Sequence, residues 1–148
     1  MIDKLGWEGT FIIECNGKKE VIKNRVMNAA LDELIKVLQG QSTDLEIKYL
    51  ALGTSNTPVT DSDTQLGNEI FRTPYTTREK TNTGEITHKF VVLDTEAVGQ
   101  IEEIGIFGGS TATSDPNTGV LISRILWSRN KTNSEEINFT RIDRITRG

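Results

Sequence analysis

Apolar and polar residues alternate along most of this chain, and in one stretch the period lengthens. Trp7 to Glu14 places the β-branched and aromatic residues Thr10, Phe11, Ile12 and Ile13 in succession, which predicts a strand. Asn16-Gly17 follows as a hairpin turn signal, so a second strand is expected through Val21 and Ile22. From Val26 to Gln39 the apolar residues Met27, Ala30, Leu31, Leu34, Ile35 and Leu38 recur at the spacing of one face of an amphipathic helix. Gly40 supplies the helix stop.

Leu45 to Leu52 returns to strand character, and its continuous apolar run from Tyr49 to Leu52 predicts a central strand buried on both faces. The segment TSNTPVTDSDTQLGNE after Gly53 reads as a surface loop with one short helical turn around Asp63 to Leu66. Further strands are predicted at Ile70 to Arg78 (broken or at an edge because of Pro74), Glu85 to Leu93, Ile101 to Phe107, Gly119 to Ser128 and Glu135 to Thr140. Turns fit at Asn82-Thr83-Gly84, Gly108-Gly109, Asp115-Pro116-Asn117 and Asn130 to Ser134. The fold class expected is therefore α+β: mainly β with one amphipathic helix, an antiparallel β-sandwich or curved sheet packed on the helix, with residues 1–148 as a single domain. The expected core is Phe11, Ile13, Leu31, Leu34, Ile35, Leu38, Leu50, Leu52, Phe90, Val92, Ile104, Ile106, Leu121, Ile125 and Phe139.

Composition narrows the function classes. With 148 residues, 17 Lys plus Arg against 21 Asp plus Glu and a net charge of −4, the chain has no global basic field for nucleic acid or an anionic membrane. No apolar run approaches the roughly 18 residues of a transmembrane helix, and the N-terminus lacks the pattern of a signal peptide. The chain is expected to stay where it is made or to leave inside a larger particle. One cysteine, Cys15, and one histidine, His88, exclude an intramolecular disulfide and an ordinary structural zinc site. His88 reads as a strand position on the face of Phe90 and Val92, and Cys15 as a small filler beside the Asn16-Gly17 turn.

Candidate chemistry is thin. Glu102 and Glu103 fall on opposite sides of a strand and cannot form a carboxylate dyad alone. Asp61-Ser62-Asp63 alternates oxygens as a calcium loop does, but Leu66 and Arg72 stand where an EF-hand needs Gly and Glu; only a weak cation site stays open there. Gly105 to Ser110 lacks the Lys and the following helix of a phosphate-binding loop. No catalytic residue, cofactor or metal is assigned. Arg124, Arg129, Lys131, Arg141, Arg144 and Arg147 make the last third locally basic, and Trp127, Phe139 and Tyr49 are the aromatic residues a single-strand site would use. One solvated face, or contact with acidic neighbours in an assembly, is the reading preferred over nucleic acid.

The order of motifs carries a resemblance. Ala51-Leu52-Gly53-Thr54, then Asp63 to Glu69 with Arg72, then Glu103-Ile104-Gly105-Ile106-Phe107, then Leu121 to Trp127 together span most of the chain from Val26 to Phe139. This resembles a family of small structural proteins of tailed bacteriophages and prophages, of the tail-fibre, baseplate, collar or head-appendage type. The resemblance implies a non-enzymatic virion component, assembled in the bacterial host cytoplasm, that forms a homo-oligomer within the particle and docks on other virion proteins. The expected partner-binding residues are Thr54, Asn56, Asp61, Asp63 and Asn68 of the loop and Arg129, Arg141 and Arg144 of the C-terminal stretch. A carbohydrate- or host-surface-binding module, with Trp7, Trp127 or Tyr75 stacking on sugar rings, is the alternative.

Overall fold

The computed structural model describes residues 5–42 and 44–147. Strands β1 (Leu5–Cys15), β2 (Lys18–Asn24), β5 (Thr77–Asn82), β6 (Glu85–Val92) and β9 (Ile137–Arg147) form a five-stranded sheet in the order β2-β1-β9-β6-β5. Strands β3 (Ile47–Gly53), β4 (Glu69–Pro74), β7 (Gly99–Gly108) and β8 (Val120–Lys131) form a four-stranded sheet in the order β4-β3-β7-β8. Every strand pairing is antiparallel. The single helix among the described residues, α1 (Asn28–Leu38), joins β2 to β3.

Alternation explains the sandwich. Phe11 and Ile13 of β1, Phe90 and Val92 of β6, and Ile137 and Phe139 of β9 bury one face of the large sheet against Leu50, Leu52, Ile104, Ile106 and Ile125 of the small one. The Asn16-Gly17 turn forms with both residues at positive φ, 53° and 76°, as a tight hairpin requires. β3 lies inside its sheet, which is why Leu50 and Ala51, pointing to opposite faces, are both fully buried. Ala51, Phe107, Leu121, Met27 and Leu66 make a second, smaller apolar cluster, with Tyr49 packed against it.

Four expectations need correction. First, Leu31, Ile35 and Leu38 are not core: they are 42%, 51% and 76% exposed, and Leu34 is half-buried. The helix is fixed through its N-terminal end, where the Met27 amide donates to the Ile122 carbonyl of β8 and the Asn28 amide to the Asp61 carbonyl, so only Ala30 within it is buried. Second, the segment from Ile70 to Arg78 is broken at Pro74, as the sequence suggests, but its two parts are strands of different sheets: the chain leaves β4 at Pro74 and joins the other sheet as β5. β5 is exposed along its length and forms by pairing with β6. Third, Asp63 to Leu66 makes no helical turn; the Asp63 carboxylate instead accepts the Thr60 amide and hydroxyl in a local turn. Fourth, β9 runs to Arg147, since it is held between β1 and β6 over most of its length.

Candidate functional site

The outer face of the small sheet carries the most elaborate polar construction. Ile104 and Ile106 of β7 point into the core, so Glu103, Gly105 and Phe107 point the other way. Glu103 is fully buried there, and its carboxylate accepts hydrogen bonds from the backbone amides of Ser55, Gly67 and Asn68 at 2.9, 2.8 and 2.9 Å. The guanidinium of Arg124 on β8 donates to the same carboxylate at 2.8 Å. Its other nitrogens donate to Asp63 at 3.2 Å and to the carbonyl of Thr57 at 3.0 Å. Burial alone raises the Glu103 carboxyl's pKa, but Arg124 and the three amides outweigh it and hold the group below its ordinary value.

This buried ion pair is the anchor of the loop from Thr54 to Asn68. The loop has little apolar content, and Leu66 is its one side chain in an apolar cluster. Gly53 leaves the room the pair needs, because a Cβ there would overlap the Glu103 carboxylate. A second clamp stands beside it: Arg72 of β4 makes a bidentate pair with Glu69, lies 4.5 Å over the Phe107 ring, and donates to the carbonyls of Thr113 and Thr118. It ties the loop between β7 and β8 to the same sheet face.

The loop residues expected to bind a partner do come together, but most have internal work. Thr54 accepts from the Asn68 side chain at 2.6 Å, Asp61 pairs with Arg25 at 2.9 Å, and Asp63 pairs with Arg124. Asn56 is exposed on the loop. Asp61 and Asp63 thus each face an arginine, and among the described residues no group of three or more His, Cys, Asp or Glu side chains is placed to hold a metal ion. Glu103, ionised and surrounded by four donors, has no proton to give and is poorly placed to take one.

The C-terminal basic residues do not form a face. Arg141 corrects the sequence reading most: it is fully buried, bonded to Asp143, Ser123 and Asn24, with its guanidinium 4.9 Å over the Phe11 ring. Gly9 makes this fit, since a Cβ at that position would overlap the guanidinium. Lys131 is also buried, donating to the carbonyl of Asp94. Arg129 pairs with Glu135, whose carboxyl is pushed down to about 2 chiefly by that arginine, and Arg144 pairs with Glu85. None of Arg129, Arg141 and Arg144 bonds to the 54–68 loop; the basic residues that do are Arg124 and, through Asp61, Arg25. Alternation had the signal, because Ile137, Phe139, Arg141 and Asp143 share one face of β9 and that face is the core.

The aromatic candidates are similarly engaged. Trp127 and Phe139 meet edge to face in the core at 6.0 Å, and the Trp127 indole donates to Glu20 at 2.8 Å. Tyr49 lies under Arg72, and Tyr75 under Arg78. Trp7 is half-buried with its N–H on Asp143. Trp127 therefore offers no platform to a sugar ring or a base. His88 sits on the buried face with Phe90 and Val92, and Cys15 is buried beside Glu135. No helix is long and apolar enough to cross a membrane among the described residues. Comparison with protein-family models, with curated proteins and with solved structures returned no match.

Proposed function

We propose that this chain is a non-enzymatic structural component of a tailed-phage virion, an attachment or adaptor protein of the tail, baseplate or appendages. The observation that carries this reading is the α1 face. Leu31, Ile35 and Leu38 form an amphipathic stripe that the protein's own core leaves exposed, and apolar residues grouped in this way favour burial against another protein. The order of motifs from Ala51 to Trp127 supports the phage assignment, and Gly53, Glu103 and Arg72 within those motifs are the residues that fix the loops. A pinned loop beside an uncovered helix suits docking into a symmetric particle, where each copy must present the same surface.

Quantitative mass spectrometry of purified particles from cells producing them tests the reading. The chain is expected in the particle fraction at a fixed ratio to the major structural proteins. Recovery only from the soluble lysate, with clean particles lacking it, overturns the proposal. The carbohydrate-binding alternative loses Trp127 to the core and has no specific observation in its favour.

A further inference from the structure

The chain crosses from the small sheet to the large one between Pro74, where β4 ends, and Thr77, where β5 begins. β5 is an edge strand, exposed along its length and paired with β6 alone, and none of its side chains is in the apolar core. Arg78 is its tie to the small sheet. The guanidinium donates to the Ile47 carbonyl at 2.6 Å and to the Glu46 carboxylate at 3.1 Å, both at the entry to β3. It also lies 4.4 Å over the ring of Tyr75, inside the crossover itself.

His88 on β6 stands directly opposite Arg78 in the strand register and is buried. Its Nε2 accepts from the Arg78 Nε at 2.8 Å, so the ring is neutral and its proton is on Nδ1. Nδ1 has no partner among the described residues, which leaves the bond to Arg78 as the ring's one hydrogen bond there. Tyr75, edge to face at 5.4 Å, and Phe90, stacked at 6.4 Å, hold the ring in place. Nε2 is therefore both the atom that accepts from Arg78 and the atom that a second proton must occupy. An imidazolium has a donor on each nitrogen and cannot accept from a guanidinium, and two cations then meet at hydrogen-bond distance.

The charged groups around the ring are Arg78 on β5, Asp143 and Arg141 on β9, and Glu46 ahead of β3. Burial opposes the charged ring most, followed by Arg78 and, more weakly, Arg141; Asp143 and Glu46 favour it, and the balance pushes the imidazole's pKa down to about 4. Both carboxylates are already engaged, Asp143 by Arg141 and the Trp7 indole, and Glu46 by Arg78.

We infer that Arg78 and His88 form an acid-released clasp on the crossover from β4 to β5: a proton taken up at Nε2 expels the Arg78 guanidinium, which leaves the Ile47 carbonyl and frees β5 from the small sheet. The device is local and independent of the virion assignment. Once released, the ring meets water and regains its ordinary affinity for a proton, so opening and protonation reinforce each other. The clasp is fully engaged above about pH 6.5, and from there down to about 4 each unit of pH should raise the open population about tenfold.

The test is amide exchange by NMR on the full chain between about pH 7 and pH 4, with the His88 ring titrated in the same samples. The Thr76 amide, which donates to the Lys89 carbonyl, and the β5 amides paired with β6 should lose about tenfold in protection per pH unit below about 6.5, while β1 and β9 stay at least tenfold better protected. His88→Gln keeps an acceptor for Arg78 and has nothing to titrate, so protection of β5 should become independent of pH. Arg78→Ala should lower that protection at every pH and raise the pKa of His88, because the charge beside the ring is gone. Arg78 is on an exposed edge strand, so its variant folds and keeps the test decisive if His88→Gln does not fold. Protection of β5 that is flat with pH in the parent, that falls only in step with β1 and β9 to the same level, or a His88 titration unmoved by Arg78→Ala overturns the inference.

Discussion

The loop from Thr54 to Asn68 and the helix α1 invert what their compositions suggest. The loop is polar, yet it is tied down by a buried ion pair and three backbone amides on one carboxylate. The helix has the strongest apolar periodicity in the chain, yet most of that face meets solvent. Burial in this protein follows pairing as much as hydropathy. A charged residue goes inside where a partner of opposite charge and backbone donors wait for it, and an apolar stripe stays outside where the fold offers no surface to cover it. The loop's shape is therefore internal to the chain, whereas the helix face is left uncovered by it.

The sharpest way to break this contrast is to remove the loop's anchor. Glu103→Ala leaves Arg124 buried without its main counter-ion and three amides without an acceptor, and about 3–5 kcal/mol of stability should be lost in urea denaturation. Amide exchange at Ser55, Gly67 and Asn68 should rise together in a partly destabilised variant such as Glu103→Gln. A loss below about 1 kcal/mol would mean that the clamp does not hold the loop.

Acid should separate the internal charges from the apolar core. The His88 pKa is depressed to about 4 from its ordinary 6.5, so the unfolded chain binds a proton that the folded one refuses between those values. The contribution is complete above about pH 6.5 and is lost as pH falls towards 4, roughly 3 kcal/mol in all. Glu135 acts in a lower window: its carboxyl, held at about 2, stabilises the fold above its ordinary 4.5, and that stabilisation disappears as pH falls from there towards 2. Equilibrium unfolding followed against pH should show the upper slope vanish in His88→Phe while the lower one remains. An unchanged upper slope in that variant would assign the effect elsewhere.

Smaller effects sharpen the comparison. Asn68→Ala removes the side-chain bond to Thr54 but leaves the Asn68 amide on Glu103, so about 0.5–1.5 kcal/mol is expected in thermal unfolding. Ile35→Lys and Leu38→Lys, exposed positions in the last turns of α1, should each change stability by no more than about 0.5 kcal/mol. A cost of 2 kcal/mol or more from either would show that the helix face is part of the core after all.

Much of the fold was legible in the sequence because its rules are local. The alternation that exposes β1, β6 and β7, the positive-φ turn at Asn16-Gly17 and the stop at Gly40 all act within a few residues. The two-sided burial of β3 was readable from Tyr49 to Leu52 for the same reason. What stayed hidden depends on distant partners. β5 has a sequence, TREKTN, with no apolar signal, and it is a strand because β6 lies beside it. The period of α1 announces an apolar face without saying what covers it. The composition of the loop marks it as a candidate site, but its anchor joins Glu103 and Arg124 to residues 35 to 69 positions away. The charge of Arg141 suggests a surface position, but its place in the Ile137, Phe139, Asp143 alternation puts it in the core.

The most direct test of the docking account is incorporation of the doubly substituted chain, Ile35→Lys with Leu38→Lys, into particles alongside the unsubstituted chain. The variant should match the parent in circular dichroism and thermal midpoint and yet be depleted at least tenfold from purified particles by quantitative mass spectrometry. A folded variant that enters particles at the parent's level would contradict the claim that the α1 face is the docking surface.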